Sequence, residues 1–203
     1  VPDEWIAQCF GTMAATPQHT HMVLTRRPER MRKLLSDPPL SFPIEMLGRT
    51  GRKPLPNVWL GVSVEDQASA DARIPVLLET PAAVRFVSYE PALGPVDLSV
   101  FLRDHPSQRL WVICGGESGP KARPMHPTWV RSIRDQCQAA GVPFFFKQWG
   151  EWEIASDING HSGSVMPESG AKYTWIGKNG KTFNPSAPDG LDCWAMAKVG
   201  KKK

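Results

Sequence analysis

Leu110-Trp111-Val112-Ile113-Cys114, followed at once by Gly115-Gly116-Glu117-Ser118, is an apolar run of strand length that stops abruptly at glycines and a carboxylate. The same form recurs along the chain. His21-Met22-Val23-Leu24 stops at Thr25-Arg26-Arg27, Val58-Trp59-Leu60-Gly61-Val62 at Ser63-Val64-Glu65-Asp66, and Val84-Arg85-Phe86-Val87 at Ser88-Tyr89-Glu90. Val142-Pro143-Phe144-Phe145-Phe146 stops at Lys147-Gln148-Trp149. Short runs rich in β-branched and aromatic residues read as buried strands. In sheets of parallel strands, ligands bind outside the carboxyl ends, so five such ends assemble one polar site. The pattern points to an enzyme-like α/β barrel without naming its reaction.

Between the strands lie helical patterns. Pro2-Asp3-Glu4 opens a helix to about Ala15 with Trp5, Ile6, Cys9, Phe10 and Met13 on its apolar face, and Pro28 opens another over Glu29 to Leu35. Asp66 reads as the N-cap of a helix through Leu78 that Pro75 should kink or delay. A short helical piece is expected around 97 to 103, and the clearest helix runs from Pro127 to Ala140, with His126 at its entry and Gly141 as its stop. Alternation of strand and helix at this pitch implies parallel pairing with right-handed crossovers. The proline-rich stretch 38 to 57, with Arg49, Arg52 and Lys53, reads as a surface excursion. Beyond Trp152 the pattern changes: residues 153–203 read as an irregular appendage with a hairpin from Tyr173 to Phe183, turning at Lys178-Asn179-Gly180, and a basic tail.

At 203 residues, 41% hydrophobic and 22% charged, the chain has enough apolar sequence for a substantial core, which excludes disorder throughout. The net charge of +4 suits an anionic partner such as nucleic acid, although Lys201-Lys202-Lys203 carry part of it. No apolar run approaches the roughly 18 to 20 residues that span a bilayer, and no signal segment opens the chain, so a cytoplasmic protein without a membrane partner is expected. Cys9, Cys114, Cys137 and Cys193 form no C-x-x-C pair, and His19 and His21 lack companions at metal spacing, so no metal site is read within this chain and buried reduced thiols are expected. The chain begins with Val1 rather than Met, from which it is expected to lack its natural beginning.

The strand ends supply the candidate site residues. Gly115 and Gly116 let backbone amides approach a ligand while Glu117 accepts from an amine or hydroxyl; the alternative is a tight β–α turn. Lys121 and Arg123 in the same loop neutralise a phosphate or carboxylate, or are simply solvated. Ser63, Glu65, Ser88 and Glu90 place hydroxyls and carboxylates at two neighbouring ends, as hydroxyl binding or proton transfer requires. Of Arg26 and Arg27, at least one is expected to point inward and the other to solvent. Lys147, Gln148 and Trp149 suit an anionic or planar ligand, while Trp149 equally reads as packing for the appendage.

Thr25 to Met31, Gly61 to Glu65, Ser88 to Gly94 and the long run from Gly115-Gly116-Glu117-Ser118-Gly119-Pro120 through Lys147-Gln148-Trp149-Gly150 together resemble a phage-associated family of unknown function, radical-SAM-like, with an N-terminal three-cysteine motif. The resemblance covers roughly residues 1–152 and implies a partial TIM-type (β/α) barrel. It further implies that the full-length protein binds a 4Fe-4S cluster and S-adenosylmethionine (SAM), with the cysteine motif upstream of Val1 and neither cofactor bound to this fragment. A genomically adjacent partner protein is implied too. Glu117 and its glycines resemble the Gly-Gly-Glu motif that contacts the methionine amine in radical SAM enzymes, but they follow a late strand where that motif follows an early one, so no catalytic role is carried over. Three readings stay open. The chain is a radical-SAM-like protein acting on a nucleic-acid or nucleotide-derived substrate, a non-catalytic nucleic-acid- or partner-binding barrel module, or a cluster-free enzyme using Glu90 and Glu117 as acid and base.

Overall fold

The computed structural model describes residues 1–36, 54–103, 110–157, 173–177, 182–183 and 193–198. Helices and strands alternate as expected: α1 (Asp3–Ala15), β1 (His21–Thr25), α2 (Pro28–Ser36), β2 (Val58–Val64), α3 (Gln67–Glu79), β3 (Val84–Tyr89), α4 (Ser99–Arg103), β4 (Leu110–Gly115), α5 (Pro127–Ala140) and β5 (Phe144–Gln148). The five strands form one parallel sheet in the order β1-β2-β3-β4-β5, stepping the same way at every crossover with no reversal.

Most strands run further into polar residues than the apolar runs do. Ser63 pairs with Ser88 and Val64 with Tyr89 in the ladder, while Lys147 and Gln148 belong to β5, which begins at Phe144 rather than Val142. The polar residues therefore start within the sheet, held by its hydrogen bonds.

Alternation divides the sheet into two faces. One carries Leu60, Val62, Val64, Val87, Tyr89, Val112 and Cys114, all nearly inaccessible, and packs with Ile74, Leu77 and Ile133 of the helices into the main core. The opposite face is laid out in rows by the register: Met22, Trp59 and Val84; then Leu24, Gly61, Phe86 and Trp111; then Ser63, Ser88, Ile113 and Phe145.

The helix ends follow their local chemistry. Asp66 accepts from the Ser69 amide at 2.9 Å while Ser69 Oγ accepts from the Asp66 amide at 3.0 Å, a reciprocal cap. His126 caps α5, its Nδ1 accepting from the Thr128 amide at 3.1 Å, and Gly141 ends that helix in the left-handed region at φ 66°. Pro75 does not break α3. It is exposed, and buried Ile74, Leu77 and Leu78 hold the turn around it, so packing overrides the lost hydrogen bond. On α1 the buried stripe is Ala7 and Phe10, flanked by Ile6 and Met13; Trp5 and Cys9 are exposed, which corrects the expectation for both. Only part of the expected face reaches the core because the helix lies over the sheet edge at β1.

Residues beyond the parallel sheet are more regular than expected. β6 (Trp152–Asp157), β7 (Tyr173–Gly177), β8 (Thr182–Phe183) and β9 (Cys193–Lys198) form an antiparallel sheet in the order β6-β9-β7-β8. β7 and β8 pair as the two arms of the expected hairpin. Its turn, the stretch 38 to 53 with its basic residues, and the terminal lysines lie outside the described residues. The β9 strand was hidden because Cys193-Trp194-Ala195-Met196-Ala197-Lys198 mixes small and large residues without a polar alternation. No helix among the described residues is long and apolar enough to cross a membrane.

Candidate functional site

At the carboxyl ends of the parallel strands a cavity of about 630 Å³ is lined by Arg26, Glu65, Glu90, Pro91, Gly116, Glu117, Ser118, Arg123 and Lys147. All five strand ends reach it, and Ser63 and Ser88 lie buried just beneath. Each of the three carboxylates is matched to a cation, Glu65 and Glu90 from another strand end and Glu117 from its own loop.

Glu65 is gripped from two sides: Arg26 Nη2 lies 2.9 Å from Oε1 and Arg73 Nη1 lies 2.9 Å from Oε2. Arg73 also donates to the Ser63 carbonyl at 2.7 Å, and Ser69 Oγ accepts from the Glu65 amide at 2.8 Å. Ser69 and Arg73, one turn apart on α3, thus tie the strand end to the helix that follows it. Glu90 receives Lys147 Nζ at 3.0 Å and Gln148 Nε2 at 3.2 Å, both from β5, while Ser63 Oγ donates to its carbonyl at 3.1 Å. Glu117 takes a two-toothed grip from Arg123, Nη2 to Oε1 at 2.6 Å and Nε to Oε2 at 2.8 Å, plus the Arg123 amide at 2.8 Å. Hydrogen bonding from Arg123, outweighing partial desolvation, holds the Glu117 carboxyl below its ordinary range and pushes Arg123 above its own.

The cations stand outermost. The Arg26, Arg123 and Lys147 side chains are 62%, 61% and 53% exposed, whereas Glu65, Glu117 and Glu90 are only 16%, 24% and 21% exposed. An approaching molecule meets positive charge first and acceptors behind it.

Close backbone contact keeps the two loops in place. A Cβ on Gly116 would sit 2.1 Å from the Trp149 carbonyl oxygen, and one on Gly150, at φ 83°, 2.1 Å from the Glu117 carbonyl oxygen. The Gly116 amide donates to Gln148 O at 2.9 Å and the Glu151 amide to Glu117 O at 3.1 Å. The close approach required of the glycine pair is therefore between two protein segments. Gly115 lies under Glu90, where a Cβ would come within 3.0 Å of Oε1.

The other candidates fall elsewhere. Arg26 turns to the cavity while Arg27 borders a separate, largely apolar cavity of about 270 Å³ between α1, β1 and α2. Lys121 is exposed and does not line the site. Gln148 is engaged by Glu90 and by the Gly116 carbonyl at 2.9 Å, and Trp149 packs its ring on Phe146 at 4.8 Å between centroids. Trp152 instead anchors the second sheet, its indole donating to the Ala122 carbonyl at 2.9 Å. His126 is a helix cap, as expected. Arg73 went unmarked in the sequence, because it meets Glu65 from eight residues further on, across the turn into α3, and no local pattern reports that pairing.

Burial pushes the thiols of Cys114 and Cys137 up to about 12, so both are protonated at neutral pH and unsuited to metal or nucleophilic roles. No group of three or more His, Cys, Asp or Glu able to hold a metal ion occurs among the described residues. A family model described as a protein of unknown function, DUF5131, matches residues 1–203. The chain belongs to the DUF5131 family. No curated protein and no solved structure matches it. For this DUF5131 chain the site's chemistry rests on its own geometry: three recessed acceptors and three outward donors around one cavity suit a ligand carrying both charges, or an anion at the rim with hydrogen-bond donors directed inward.

Proposed function

We propose that the chain is a SAM-binding partial (β/α) barrel of radical-SAM-like, phage-associated type that acts in the cytoplasm on a nucleic-acid or nucleotide-derived substrate. The unreversed strand order supports the barrel reading. The observation that carries the ligand reading is the paired ring of recessed carboxylates and exposed cations at the strand ends.

The amino-acid head of SAM carries an ammonium and a carboxylate, which Glu65 or Glu90 and Arg26 or Lys147 are chemically suited to receive by exchanging one internal partner for the ligand. SAM bound there supplies a sulfonium centre with activated carbon–sulfur bonds. The described residues do not furnish an iron–sulfur site, so on this reading the cluster ligands lie outside them and no step is routed through the cluster.

Titration calorimetry with SAM is the test. Glu65→Gln and Glu90→Gln are each expected to weaken binding about tenfold or more, as loss of a charge-assisted hydrogen bond does; absence of any SAM binding by the wild-type protein overturns the reading. Iron and sulfide analysis of protein made from its complete reading frame and purified without oxygen tests the cluster separately.

A second reading, a non-catalytic module binding nucleic acid or a genomically adjacent partner protein, draws support from the ion pairing itself, since all three carboxylates already have cations. DNA affinity without SAM affinity decides for it. Glu117, held ionised by Arg123, is poorly matched to proton transfer near neutral pH, which weighs against Glu90 and Glu117 as an acid–base pair.

A further inference from the structure

The sheet face opposite the helices carries an aromatic floor below the charged rim. Phe86 lies flat across Gly61, where an added Cβ would come 2.5 Å from its ring carbons, and is 2% exposed. Trp111 is the hub: its ring meets Trp59 edge-on at 5.8 Å, Phe86 at 6.4 Å and Phe145 at 6.2 Å. Phe145 is 50% exposed. None of the four belongs to the core beneath the helices. The row nearest the carboxylates holds buried Ser63 and Ser88 beside Ile113 and Phe145, so the floor reaches the charged rim at Phe145 and is stepped back from it by hydroxyls at β2 and β3.

We propose that this aromatic floor receives an unpaired nucleobase of a single-stranded nucleic acid whose phosphates meet Arg26, Arg123 and Lys147 at the rim. The inference rests on the strand-end site being the functional centre and adds the class of substrate. Its physical basis is complementarity in both parts. Every base has a π-face that stacks on aromatic rings irrespective of sequence. The rim presents exposed cations outward, matching a polyanion, and the net charge of +4 has the same sign. The recessed Glu90 offers acceptors to base N–H groups passing between rim and floor. Bases in a duplex are stacked inside it and cannot reach a floor below a rim, so the strand must be single or its base turned out. A lipid chain would find a charged mouth in place of a continuous apolar wall.

The test is fluorescence anisotropy of a labelled thymine oligonucleotide about a dozen nucleotides long. The same strand in duplex form and an abasic strand of equal length serve as comparisons, each over a range of salt. The thymine strand is expected to bind about tenfold or more tightly than the duplex and the abasic strand, with affinity falling as salt rises. Phe145→Ala is expected to bring the thymine strand down to the abasic level and Phe145→Trp to restore it, while SAM calorimetry is unchanged in both. Equal affinity for thymine and abasic strands, or a Phe145→Ala protein that binds as wild type, overturns the proposal. So does sedimentation showing a dimer that Phe145→Ala dissociates, because the floor is then covered by a second copy. Loss of SAM binding with oligonucleotide binding intact would defeat the cofactor reading and leave the base site standing.

Discussion

Glu117 and Arg123 are six residues apart in one loop, and their pairing sets the charge state of the site's outer edge. The carboxyl's folded value lies below its ordinary 4.5, so the pair's contribution is complete above about pH 4.5 and is lost as pH falls through the depressed value. Arg123 is 61% exposed, which limits that contribution to about 0.2–1 kcal/mol. Replacing Arg123 by Ala is expected to return the Glu117 titration toward 4.5, followed by carboxyl-carbon NMR, and to flatten the acid limb of the stability curve; an unmoved titration would contradict the assignment. At this scale the sequence was partly legible. Glu65, Glu90, Glu117, Arg26 and Lys147 sit at the ends of apolar runs and could be picked out as polar residues beside buried strands. Arg73 could not, because it reaches the site from a helix two turns away, and partnership across that distance depends on the tilt of α3 against β2.

Among the elements, α3 connects most directly to the site, since its first two turns hold Glu65. The Asp66–Ser69 cap fixes the helix start, and the Ser69 amide bond lowers the Asp66 carboxyl below its ordinary value of 3.8. Asp66→Ala is therefore expected to cost about 1 kcal/mol in urea unfolding at neutral pH, with the difference shrinking as pH falls through the depressed value. At the other end Arg85 donates to the Leu77 carbonyl at 3.1 Å and the Thr80 carbonyl at 2.6 Å, so both termini of the helix are satisfied despite Pro75. The expected delay of the helix start does not occur: end capping and the burial of Ile74, Leu77 and Leu78 outweigh one missing bond. The strand ends were misjudged for a related reason. Apolar runs report burial, whereas strands end where the ladder ends, and Ser63, Ser88 and Gln148 stay in the ladder although they are polar.

Across the whole molecule, the five-stranded parallel sheet was legible because strand and helix signals alternate at regular spacing. The second sheet was only half visible: its β7–β8 hairpin carries a turn signal, but β6 and β9 pair across a long separation that no local pattern reports. The aromatic floor was legible only in pieces, since Trp59, Phe86, Trp111 and Phe145 read as generic strand residues until the register aligned them. The crossing of Gly116 and Gly150 links the two sheets, because residues 115–117 leave β4 and 148–151 lead into β6. Gly116→Ala forces a Cβ against the Trp149 carbonyl, and a cost of about 1–3 kcal/mol is expected from thermal or urea unfolding. Wild-type stability in that variant would mean the segments do not meet there.

That crossing has a mechanical consequence. Two segments of one chain touching backbone to backbone, with amide hydrogen bonds running both ways, form a joint in which opening one loop breaks the bonds that hold the other. Any shift of the Glu117 backbone therefore bears on Gly150 and Glu151, which lead into β6, whereas its carboxylate can turn without them.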